Sequence, residues 1–151
     1  MNIAVASDHA GFELKRYVIG CLVDKGFAVE DFGAYDAKPV DYIDTGLPAV
    51  LDVVSGRSDL SILICGTGLG MSIIANKVRG IRAALCHSSE FARLAREHND
   101  ANVLVLAGRY TNEEQAMDIV ETFIHTAFSH EERHLVRINK IKEYEQLTFN
   151  N

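Results

Sequence analysis

The residue types best suited to chemistry gather in one short stretch, Cys65-Gly66-Thr67-Gly68-Leu69-Gly70. Glycines without a Cβ let successive backbone N–H groups face one concavity, and such a nest at the start of a helix holds an oxyanion. The stretch follows the apolar run LSILIC and precedes the helical pattern MSIIANKV, which puts Cys65 at the end of a buried strand and the mouth of a helix. A positive helix end favours thiolate over thiol, so Cys65 is a candidate base. It reads equally as a small buried hydrophobe, as Cys21 on its helix and Cys86 on its strand do. The glycines by themselves also fit a tight turn without a ligand. No Gly-Lys-Ser/Thr follows and the spacing is not G-x-G-x-x-G, so a nucleotide site gains little support.

Other candidates also stand after apolar runs: Asp8 and His9, His87 and Ser88, Gly108 and Arg109. His98 ends a charged helical segment, where a lone histidine is more often a dipole-compensating cap than a catalyst. Arg133 and Arg137 are four apart, so they could fork onto one phosphate or simply share a solvated face. His130-Glu131-Glu132-Arg133-His134 spells H-E-x-x-H, which on a helix would offer zinc two imidazoles beside a carboxylate. That match opens a short terminal helix, lacks a downstream histidine extension, and has only the surface-type Glu143 and Glu145 as third ligands. No metal is therefore assigned, and a zinc hydrolase is retained only as a competing class.

The elements that must position these residues alternate regularly. Apolar runs at 2–7, 27–32, 60–65, 81–86 and 102–108 predict five strands, and helical spacing predicts helices from Phe12, over 45–55, after Gly70, over 90–97 and over 112–127. Residues 33–44 are expected to form a loop. This alternation predicts an α/β fold: a Rossmann-like, doubly wound, five-stranded parallel sheet in three α/β/α layers, with the ligand crevice beyond the carboxyl ends of the strands. A further helix over about 131–147 carries Leu135, Ile138 and Ile141 on one stripe, and packs either on its own domain or on a partner subunit.

With 151 residues, the chain has the length of one domain. Its formal charge of −6 argues against a nucleic-acid footprint, and no stretch approaches the roughly 18 apolar residues of a membrane span. Three widely spaced cysteines, no C-x-x-C pair and no leader pattern suggest reduced thiols and a cytoplasmic location.

Taken together, the ordered motifs resemble the B-type ribose-5-phosphate isomerases, within the family that includes the lactose-pathway galactose-6-phosphate isomerase subunits. The resemblance rests on Ser7-Asp8-His9-Ala10-Gly11, on Asp41-Tyr42 with Asp44, on Ile64 to Ser72 with Ala75-Asn76-Lys77, on Gly80-Ile81-Arg82-Ala83, on His98 to Leu104, and on Arg133-His134-x-x-Arg137. It implies a homodimer or homotetramer whose sites combine two subunits, and no metal or organic cofactor. By that likeness Cys65 is the base, His98 opens the sugar ring, Thr67 moves protons between two oxygens, and Gly66, Gly68 and Gly70 belong to the anion hole. Asp8, Tyr42 and Asn99 match contacts to sugar hydroxyls. His9, Arg109, Arg133 and Arg137 match phosphate ligands, the last two coming from the partner. The implied reaction interconverts D-ribose 5-phosphate and D-ribulose 5-phosphate, in the non-oxidative branch of the pentose phosphate pathway. Allose 6-phosphate is an alternative substrate, and a non-catalytic sugar-phosphate sensor is an alternative of another class. Asp44 rivals His98 for ring opening. Three positions depart from the family pattern: Ile43 in place of proline, Glu131-Glu132 in place of a glycine pair, and Ala107-Gly108 before Arg109.

Overall fold

The computed structural model describes residues 1–148. Five strands, β1 (Asn2–Ser7), β2 (Ala28–Asp31), β3 (Leu60–Cys65), β4 (Ala83–Leu85) and β5 (Val103–Ala107), form one sheet of order β2-β1-β3-β5-β4. Every pairing is parallel, with Ser7 opposite Ile64 and Cys65 opposite Ala107. Six helices intervene or follow: α1 (Phe12–Asp24), α2 (Tyr42–Val54), α3 (Leu69–Ala75), α4 (Ser89–Asn99), α5 (Glu113–His125) and α6 (Glu132–Thr148).

Strand alternation sorts the core into two layers. Ile3, Val5, Ile62, Ile64, Leu104 and Leu106 pack against Val18, Leu22, Ala92 and Phe123 from α1, α4 and α5. Their neighbours in sequence, among them Ala4, Ala6, Leu63, Cys65 and Val105, face Val50, Met71 and Ala75 of α2 and α3. Period-two side chains on strands covered on both sides produce this three-layer arrangement.

The chain from β1 runs outward to β2 and returns to β3 on the other side of β1, so the strand order reverses between β1 and β3. The loops after these two strands diverge there and leave a crevice. Two of the differences from the expected boundaries have a side-chain cause. Helix α2 starts at Tyr42, not at 45, because the Asp41 side chain caps it by accepting from the Ile43 amide at 2.9 Å. Strand β4 shrinks to three residues at the sheet edge, since Asn76 Oδ1 and Asn102 Oδ1 take the amides of Ala83 and Arg82.

The terminal helix touches its own domain at few points. His134 and Ile138 are its buried residues, and Glu145 accepts from the Gly80 amide at 3.1 Å. Leu135, Val136, Ile141, Tyr144 and Leu147 remain exposed. Among the described residues, no helix is long and apolar enough to cross a membrane.

Candidate active site

A cleft of about 210 Å³ opens at the reversal point. Asp8, His9 and Ala10 line it from the β1 loop, Cys65, Gly66, Thr67 and Gly70 from the β3 turn, Tyr42 from the start of α2, and Arg109 from beyond β5. Eight of the thirteen residues singled out in the sequence thus meet in one place.

Each wall has a local cause. Asp8 is buried; its amide donates to the Ile64 carbonyl at 3.2 Å and its Oδ1 accepts from the Gly11 amide at 3.0 Å, which closes the loop before α1. Cys65 is 4% exposed, on the strand face that looks toward α2 and α3. Gly68 caps α3 with φ of +76°, and a Cβ there would lie 2.4 Å from Leu85 Cδ1. It is the hinge of the turn, set behind the cleft. Thr67 Oγ1 accepts from the Leu69 amide at 3.3 Å, leaving its hydroxyl hydrogen free to donate. The Tyr42 ring lies against Gly70, and the Arg109 guanidinium passes over Gly66, each within van der Waals reach of where a Cβ would sit.

The loops also meet backbone to backbone. A Cβ on Gly11 would stand 2.6 Å from the Ile64 carbonyl oxygen, and one on Gly108 would stand 3.1 Å from Gly11 Cα. The Arg109 amide donates to Gly66 O at 3.0 Å and that of Gly108 to Cys65 O at 2.8 Å. Arg109 is therefore firmly placed despite the Ala107-Gly108 departure.

His9 is exposed, and its Nδ1 lies 3.3 Å from both the amide nitrogen and the carbonyl oxygen of Val40. Nδ1 without a hydrogen can accept from the one and Nδ1–H can donate to the other, so the loop holds the ring in either tautomer. Asp44 faces a neighbouring hollow, with Val40 and Thr45, and does not line the Cys65 cleft.

Four predicted residues lie elsewhere. His98, Asn99, Arg133 and Arg137 line no part of the Cys65 cleft within one chain. His98 and Asn99 end α4, whose last carbonyls are gripped by Arg82: Nε donates to Asn99 O at 2.8 Å and a terminal nitrogen donates to Asp100 O at 2.8 Å. The His98 ring stacks on His134 at 4.2 Å between centroids and 14° between planes. His134 is 3% exposed with Nε2 unpartnered, and burial first, then the charge of His98, holds its imidazole below the usual histidine range. Exposed Arg133 and Arg137 flank it, Arg133 Nε donating to Glu131 Oε2 at 2.8 Å.

The zinc reading loses its geometry here. His130 precedes α6 with φ of +55° and meets Phe128 edge-on at 4.8 Å, while His134 faces His98. Among the described residues no three His, Cys, Asp or Glu side chains cluster to hold a metal. Cys86 is an apolar core member whose thiol burial pushes up to about 12. Sequence reasoning passed over Lys15, Asp31 and the Val40 backbone, and gave Arg82 no role beyond its motif. The signal for Lys15 lay in its place on the apolar stripe of α1, among Leu14, Val18 and Leu22.

The Ribose/Galactose Isomerase family profile matches residues 3–141. Ribose-5-phosphate isomerase B of Escherichia coli is 40% identical over 145 residues, covering 96% of this chain and 97% of the relative. The crystal structure of a ribose 5-phosphate isomerase from Thermotoga maritima superposes with TM-score 0.92 at 54% identity, over 94% of this chain and 97% of that one. Ribose-5-phosphate isomerase B of Clostridium thermocellum gives TM-score 0.94 at 49% identity, over 97% and 98%. With its cleft at the strand reversal and residues 3–141 matched by the family profile, the chain belongs to the ribose/galactose isomerase family and is an aldose–ketose isomerase.

Proposed function

We propose that the protein interconverts D-ribose 5-phosphate and D-ribulose 5-phosphate through an enediolate, with Cys65 as the base. The observation that carries this reading is the convergence of Cys65, the glycine turn, Tyr42, His9 and Arg109 on one small cleft. His9 and Arg109 take the phosphate, and Asp8 and Tyr42 take sugar hydroxyls. The Cys65 thiolate removes the proton from C2 of the open-chain aldose, the C–H electrons form the C1–C2 double bond, and the carbonyl electrons move onto O1. The amides of the glycine turn stabilise that oxyanion, each such donor being worth about 3 kcal/mol in comparable sites. Thr67 carries the proton from O2 to O1, and the Cys65 thiol returns its proton to C1. The names of the matched relatives favour the pentose phosphate as substrate.

A second copy of the chain completes the site. His98, Asn99, Arg133 and Arg137 stand together and away from the cleft, on a face where α6 leaves apolar side chains exposed. From a partner, His98 would open the furanose ring and the two arginines would close on the phosphate.

The test is turnover of ribose 5-phosphate by chelator-treated wild type and Cys65→Ala, run beside allose 6-phosphate. Loss of a base costs about 10²- to 10⁴-fold, so wild type turns over and the variant falls by that factor. A wild type inactive on both sugars refutes the substrate assignment, and a fully active Cys65→Ala refutes the base.

A further inference from the structure

We propose that the ion pair between buried Lys15 and the half-exposed Asp31 is a positioning device for the substrate cleft, acting through the loop of residues 33–41. Lys15 is 1% exposed and the largest of the fully buried side chains. Its ammonium meets Asp31 at the end of β2, between the rings of Phe12 and Tyr35 at 5.9 and 5.5 Å. A desolvated cation is costly unless a partner holds it, so the buried ammonium keeps the Asp31 carboxylate at the end of β2.

Asp31 in turn fixes the loop. The oxygen that takes the ammonium also accepts from the Gly33 amide at 2.9 Å, and the Asp31 carbonyl accepts from the Tyr35 hydroxyl at 3.0 Å. Gly33 and Ala34 then exchange bonds with Ser7, whose amide donates to Gly33 O at 2.6 Å and whose carbonyl accepts from Ala34 at 2.7 Å. Three cleft residues hang on this arrangement. Asp8 follows Ser7, His9 is bracketed by Val40 at the far end of the loop, and Tyr42 follows the Asp41 cap. Lys15 and Asp31 themselves line no part of the cleft. Their effect is on where the cleft residues stand, so it falls on binding more than on the chemical step.

This inference rests on the reading that His9 and Arg109 receive the phosphate. The experiment measures inorganic phosphate affinity, together with KM and kcat for ribose 5-phosphate, in wild type, Lys15→Met, Tyr35→Phe and His9→Ala, well below each melting temperature. Lys15→Met keeps the stem and removes the charge. It is expected to raise the phosphate Kd and KM about fivefold to tenfold while kcat stays within about twofold. Tyr35→Phe, at an exposed side chain, gives a smaller rise in the same direction and carries the test should Lys15→Met not fold. A lowered melting temperature with unchanged Kd and KM would make the pair merely structural and overturn the proposal. Equal phosphate binding by wild type and His9→Ala would instead sink the reading of the cleft.

Discussion

At the residue scale, His134 supplies one face of a stacked imidazole pair and cannot easily take a proton. His98 faces it from α4; Arg133, Arg137 and Glu131 surround it from its own segment, and only Glu131 favours charge. In the folded chain the imidazole protonates below its usual range, so the unfolded chain binds more protons as pH falls, and stability declines below about pH 6.5. His134→Phe keeps an aromatic ring against His98 and removes the titration. Its urea midpoint should change less between pH 7.5 and 5.5 than that of wild type, and equal changes would refute the assignment. The stack was not legible in the sequence, because a contact between α4 and α6, with β5 and α5 between them in the chain, leaves no local periodicity.

At the scale of elements, most of the fold followed from alternation of apolar runs with helical spacing, and the errors fell where side chains replace backbone pairing. Asp41 was legible as a cap and was passed over because the polar stretch around Pro39 reads as continuous loop. The end of α2 shows a similar device. Asp52 is buried, accepts from the Ser58 hydroxyl at 2.6 Å and from Arg57 Nε at 2.5 Å. The Ser58 bond first, opposed by burial and aided by Arg57, holds its carboxyl below the usual range. That stability is present above the unfolded carboxylate pKa of about 4 and is lost as pH falls through the lower folded value. Asp52→Asn should cost about 1–3 kcal/mol at pH 7 and progressively less toward pH 2, as followed by chemical denaturation. A cost independent of pH would mean that the charge is irrelevant.

At the scale of the whole molecule, the sequence made the Cys65 turn and the β1 loop recognisable as one site, since both stand at carboxyl ends of strands. It could not show that His98 and Asn99 sit apart from them, because a linear order carries no distance, and for the two arginines only the family resemblance implied a place on a partner. If a second chain supplies that group, Cys65→Ala and His98→Ala chains, each inactive alone, should regain activity when refolded together. Random assortment makes half the dimers mixed, each with one intact site, so about one quarter of wild-type activity is expected. No recovery would place both groups in the same chain's site.

The seam beneath the loops of the cleft has its own consequence. Gly11, Gly108 and the Ile64 carbonyl pack so closely that a Cβ on either glycine would crowd main-chain atoms, with the Ile64 Cγ2 methyl beside them. Such a seam behaves as a fixed gauge. A change of substrate size therefore has to be accommodated by the side chains that line the cleft, such as His9, Tyr42 and Arg109, which can be traded without moving the strands.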